Sequence, residues 1–199
     1  VKGYDGSSYI VSTFRSLHAR RQEDPIPFYD LKAPGSLYAI FFRERVKRQG
    51  EASDKEALQR AINFASGKAP TANDYVAGPV ALEEWANVLE TLPEDKQNYH
   101  GNSYVGACYC ESRWMCAGFL KRLAKRHPGK HSRHLLKAAE CYENGWKLLK
   151  EFTQVFPFGF QGGMKLTDRK KGAELLRQVK PFEEEAIKHM TKALEEWGR

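Results

Sequence analysis

Residues 132–155 read SRHLLKAAECYENGWKLLKEFTQV. The side chains of Leu135, Ala139, Tyr142, Trp146, Leu149, Thr153 and then Phe156 alternate by four and three. That spacing lays one stripe along a helix and gives a seam of about 3.5 residues in period, as antiparallel bundle neighbours use. The tight connection His127-Pro-Gly-Lys130 just before it favours an antiparallel return over a crossed one.

Upstream, a helix runs from about Glu94 or Gly101 to Arg126 and is closed by Pro128-Gly129. Pro79 fits the first turn of an earlier helix, in which Ala81, Trp85, Val88 and Leu92 share a stripe before Pro93 ends it. Ser53-x-x-Glu56 has the form of a capping box opening a helix to about Ser66, with Leu58, Ile62 and Ala65 on one face and Gly67 as the stop. Downstream, residues 156–163 form a loop whose aromatic side chains are expected against the bundle. Thr167 or Asp168 caps a last helix that carries Leu176, Val179, Ala186, Met190 and Leu194 to Trp197, with Pro181 expected to kink or interrupt it.

The first fifty residues differ in character. Ser8 to Phe14, Ile26 to Tyr29 and Ser36 to Phe42 are β-branched and aromatic runs, punctuated by the turn dipeptides Asp5-Gly6, Asp24-Pro25 and Pro34-Gly35. The expected fold class is therefore mainly α: an antiparallel bundle of four or five helices over 51–199, preceded by a β segment of about three short strands over 1–50. Three short strands need a further surface to lean on. Their open edge, or exposed bundle surface, is expected to make the protein a homo-oligomer.

The 11 Phe, 9 Tyr and 4 Trp among 199 residues supply a sizeable core and exclude a disordered chain. No apolar run approaches the ~18 residues of a membrane span, so no membrane partner is expected. Cys108, Cys110, Cys116 and Cys141 lie in helical apolar pattern without a CxxC pair. They read as small reduced core residues of a cytoplasmic protein. The chain opens on Val1 rather than Met, which reads as a fragment of something longer or a trimmed product.

There is no phosphate-binding glycine loop, HExxH, G-x-S-x-G or EF-hand loop, so no cofactor is expected. The densest polar cluster within an apolar pattern is Tyr99-His-Gly-Asn-Ser-Tyr104 followed by Cys110-Glu-Ser-Arg113. On a helix, Tyr104, Cys108, Glu111, Met115 and Phe119 fall near one face, setting Glu111 between core positions. A carboxylate held there can act as acid, base or ligand anchor, or can pair with a cation on a neighbouring helix. With Trp85, the residues His100, Asn102, Tyr104, Glu111 and Arg113 form the candidate set for a small-molecule or peptide ligand. No metal site is expected, because Cys108 and Cys116 share a face but lie ~12 Å apart along a helix, while Cys108 and Cys110 diverge.

Lys and Arg together number 32 against 25 Asp and Glu, a net charge of +7. The strongest basic run is the turn at 121–137, with Lys121, Arg122, Lys125, Arg126, Lys130 and Arg133 as candidate anion-binding residues. It can serve phosphates or an acidic partner, but positive charge also gathers at a helix C-terminus because of the dipole. No aromatic residue stands among its basic positions, which disfavours nucleic acid.

Gly3-Tyr4-Asp5-Gly6-Ser-Ser-Tyr9-Ile-Val11, Ile26-Pro-Phe-Tyr-Asp-Leu31 and Leu37-Tyr-Ala-Ile-Phe41 resemble the end of a papain-like cysteine peptidase fold. The similarity is to the butirosin-biosynthesis acyltransferase group and to bacteriocin-processing peptidases. The helical region, with Trp85, the Glu-Ser-Arg at 111–113 and Ala138-Ala-Glu-Cys-Tyr142, resembles the region that follows such domains. The resemblance implies a nucleophilic cysteine and catalytic histidine upstream of Val1, and an orienting Asp or Asn near Ser12 to Phe14, where neither type stands. No complete catalytic set is visible. The expectation is a non-catalytic helical domain that shapes a substrate cleft or an oligomer interface. The alternatives are an acyl-transfer or amide-hydrolysis enzyme with its nucleophile upstream, and a protein binding nucleic acid or an acidic partner through the basic turn.

Overall fold

The computed structural model describes residues 3–10, 25–27, 50–69, 75–158 and 165–198, and the chain divides into two compact units, Val1–Lys47 and Arg48–Arg199. In the first, Gly3–Asp5 (β1), Ser8–Ile10 (β2) and Ile26–Pro27 (β3) pair antiparallel in the order β1-β2-β3. Asp5 stands opposite Ser8, so the connection is two residues long, and Gly6 supplies its left-handed backbone at φ 48°. The remaining residues of the expected strands, 11–14, 28–29 and 36–42, lie outside the described residues.

The described residues of the second unit are mainly helical: Glu51–Ala65 (α1), Pro79–Thr91 (α2), Tyr99–Arg126 (α3), Ser132–Val155 (α4) and Leu166–Trp197 (α5). A 3-10 turn at Glu94–Lys96 precedes α3. No helix among the described residues is long and apolar enough to cross a membrane.

Three local expectations are corrected. First, α1 begins ahead of Ser53, with Gly50 in the cap position at φ 67° and no side-chain cap. Glu51 and Asp54 in the first turn suit the helix dipole, and Glu56 pairs with Arg60 rather than turning back to the cap. Second, α2 buries Leu82, Ala86 and Leu89, one position on from the expected stripe, and leaves Val88 exposed. Third, α5 is not interrupted at Pro181 but continues through it. Proline gives up the hydrogen bond to the carbonyl four residues back, but buried Val179 and Ala186 anchor the helix on either side. In the loop after α4, Phe156 is buried and Phe158 exposed, while residues 159–163 lie outside the described residues.

The core forms two clusters. Leu58 and Ile62 of α1 meet Leu120 and Leu123 of α3, Leu135 and Ala139 of α4, and Met190 and Trp197 of α5. Leu82 and Leu89 of α2 meet Cys110 of α3, Leu149 and Phe152 of α4, and Leu176 and Val179 of α5. The C-terminal half of α3 thus lies beside the N-terminal half of α4, and the N-terminal half of α4 beside the C-terminal half of α5. The long helix α4 runs antiparallel to both α3 and α5, while α1 and α2 each close one half of a fourth side.

Close approaches set the spacing. A Cβ on Gly106 of α3 would lie 2.7 Å from the Phe152 ring, and one on Gly172 of α5 would lie 2.5 Å from Phe156. Two glycines therefore make room for two phenylalanines at the end of α4. At the C-terminus of α2, buried Arg169 donates from Nη1 to the carbonyls of Leu89 and Leu92, and Gln97 donates to Val88 and Leu92. These side chains satisfy carbonyls that the helix end leaves open. Arg177 ties α2 to α5 through Glu83, Glu90 and Asn87.

Candidate functional site

The fourth side of the bundle is broken where α1 gives way to α2, and the break is built from glycine. Gly67 has φ 71° and Gly78 φ 81°. A Cβ on Gly67 would lie 2.8 Å from the Ala77 carbonyl, and one on Gly78 would lie 2.9 Å from that of Ala65. Both positive φ and backbone crowding reserve these positions for glycine. Behind the joint lies a cavity of about 510 Å3.

Its walls are mainly apolar, including Phe64 of α1, Val76 of the connection, Leu82 and Trp85 of α2, and Phe119 and Leu120 of α3. Trp85 is held edge-on to Phe152 at 5.0 Å, and its Nε1 donates to Oδ1 of Asn102 at 2.6 Å. Asn102 in turn donates from Nδ2 to the Asn98 carbonyl.

One stretch of the lining is polar. Tyr109 and Arg113, one helical turn apart on α3, line the cavity with Tyr142 of α4. Arg113 donates from Nε to Oε1 of Glu183 on α5 at 2.5 Å, from Nη2 to the Tyr109 hydroxyl at 2.5 Å and from Nη1 to Ser112 Oγ at 3.2 Å. Its guanidinium carbon sits 3.9 Å from the Tyr109 ring centroid and 5.5 Å from that of Tyr142, within cation–π range. The pair is largely withdrawn from solvent, at 16% side-chain exposure for Arg113 and 4% for Glu183.

Burial works against the Arg113 charge, but the Glu183 carboxylate and the tyrosines outweigh it and hold the guanidinium above its ordinary pKa. Burial first, then Glu183, pushes Tyr109 and Tyr142 well above the usual phenol value, against Arg113. Both phenols therefore stay protonated as hydrogen-bond donors. Burial also raises the Cys116 thiol at the cavity wall, and among the described residues no histidine lines the cavity. A thiol pushed away from ionisation and lacking a base is a poor nucleophile. The site can enclose an apolar body and hydrogen-bond one polar group.

Of the sequence candidates, Trp85 and Arg113 line the cavity and Asn102 positions Trp85. His100 and Tyr104 are exposed and cluster with Phe158, at ring separations of 6.2 Å and 5.9 Å around Tyr104. The expected face containing Glu111 is corrected: Glu111, Cys108 and Met115 are exposed on the outer side of α3, while Ser103, Gly106, Cys110 and Ala117 face inward. Tyr104 and Trp114 are exposed on the outer side as well, so both sides of α3 carry apolar residues. The inner side takes small residues because Phe152 occupies the space against Gly106.

All four cysteines are free; Cys110 is buried and Cys116 and Cys141 are half-buried against the core, while Cys108 is exposed, which corrects its assignment as a core residue. Among the described residues no group of three or more His, Cys, Asp or Glu could hold a metal ion. In the basic turn, Lys121 pairs with Glu143, Arg126 with Asp54 and Arg133 with Glu196. Arg122, Lys125 and Lys130 are exposed.

Tyr109, Tyr142 and Glu183 were missed by sequence reasoning. Glu183 carried a readable signal, a carboxylate inside the apolar stripe Val179, Ala186 and Met190. No family model matches the chain, and no curated protein or solved structure matches it either.

Proposed function

We propose that the chain is a non-catalytic helical binding domain that encloses a small, largely apolar molecule at the joint between α1 and α2. The observation that carries this reading is the cavity of about 510 Å3, within the ~300–1,000 Å3 of small-molecule sites and of the same character, apolar walls with few polar groups. In this reading residues 1–50 form a β segment resembling the end of a papain-like fold, and the helical domain supplies the cleft of a cysteine-peptidase-like or acyltransferase-like protein. The raised Cys116 thiol supports a role in holding a molecule rather than cleaving it.

Phenylnaphthylamine, an uncharged apolar fluorophore, tests the proposal. One-site binding with enhanced emission is expected, weakened at least about tenfold by Ala81→Phe, which fills the cavity. Equal binding by folded Ala81→Phe and Ala61→Phe variants overturns it.

A further inference from the structure

We infer that the molecule held in the cavity is uncharged and carries a hydrogen-bond acceptor oxygen of the ketone, ester or amide kind. The inference rests on the binding reading above and specifies its chemistry.

Charge balance is the first argument. The cation Arg113 is already matched by Glu183 across a 2.5 Å contact, so the polar end of the cavity is neutral as a unit. A carboxylate ligand would add a second negative charge close to Glu183, where low dielectric magnifies repulsion. An ammonium ligand would meet the same penalty from Arg113. Neither is offset by a free counter-charge among the described cavity-lining side chains, of which Arg113 alone is ionised.

Unused hydrogen-bonding capacity is the second argument. Of the five guanidinium N–H groups, one goes to Glu183, one to Tyr109 and one to Ser112, which leaves two. Tyr142 is 4% exposed and lines the cavity, yet its hydroxyl makes no side-chain hydrogen bond among the described residues. A pure hydrocarbon filling the cavity would strip water from this donor and leave it without a partner, which is costly. A carbonyl oxygen accepts from the phenol and a guanidinium N–H while adding no charge. The raised pKa of Tyr142 keeps that donor protonated.

Acetylnaphthalene, ethylnaphthalene and naphthoate, substituted at the same ring position, differ little in volume and separate the cases. Titrated calorimetrically into the full chain, the ketone is expected to bind about tenfold tighter than the hydrocarbon, one net hydrogen bond's worth, and tighter than the carboxylate. Tyr142→Phe is expected to shrink the ketone's advantage over the hydrocarbon by weakening the ketone without weakening the hydrocarbon. As a readout independent of any variant, the carbonyl stretch of the ketone should move to lower wavenumber on binding. A hydrocarbon that binds as tightly as the ketone overturns the inference and leaves the binding reading intact. A carboxylate that binds tightest overturns it in favour of an anion site, and failure of all three to bind overturns both.

Discussion

Arg113 on α3 and Glu183 on α5 stand seventy residues apart in sequence and 2.5 Å apart in space. Such a pair, taken out of water, contributes through what its loss leaves behind. Glu183→Ala strands a buried guanidinium and is expected to destabilise the domain by about 3–5 kcal/mol. Arg113→Met with Glu183→Leu removes both charges and should cost much less. Urea unfolding of the single and double variants decides it, and a double variant as unstable as Glu183→Ala would contradict the account.

The glycines of the long helices divide by what a methyl group would meet. Gly106→Ala and Gly172→Ala would push into Phe152 and Phe156 at 2.7 Å and 2.5 Å, and each is expected to destabilise by about 1–3 kcal/mol. Gly145→Ala finds its nearest neighbour at 3.7 Å and should instead stabilise by up to about 1 kcal/mol through helix propensity. Opposite signs in thermal melting are the outcome to look for.

Acid should weaken the fold through His189. Burial holds this imidazole below its usual pKa of 6.5, and nearby His134 adds to the effect although Glu185 opposes it. As pH falls below 6.5, the unfolded chain takes up a proton that the folded chain resists, so stability present above that value is lost on the way down. Melting temperature followed from about pH 7 to about pH 5 should fall less steeply in His189→Gln than in the parent protein. Identical slopes would remove His189 as the cause.

Thiol labelling should rank the cysteines. Cys108 is exposed, whereas burial raises the thiols of Cys110, Cys116 and Cys141. A maleimide at near-neutral pH is expected to modify Cys108 first and buried Cys110 last. Peptide mass spectrometry over time gives the order.

How far the sequence discloses this molecule depends on which kind of residue marks each element. The limits of α4 are legible because Pro128 and Gly129 stop the chain before it and its apolar residues occupy one stripe. The orientation of α3 is not, because Trp114 and Met115 outside are more hydrophobic than Gly106 and Ser103 inside. Periodicity finds a helix there but selects the wrong face, and with it Glu111. At α2, Trp85 draws the expected stripe toward the cavity wall, one position from the buried line of Leu82, Ala86 and Leu89. Arg113 and Trp85 stand out as polar or bulky residues in helical pattern. Their convergence with Tyr142 and Glu183 is a product of tertiary packing and has no local signature.

The division of the fourth side between α1 and α2 bears on how the domain breathes. Each short helix guards its own half of the interior like a separate stave on one barrel, and the two glycines let the stave ends meet backbone to backbone. Amide exchange can therefore proceed at one stave while the other stays shut.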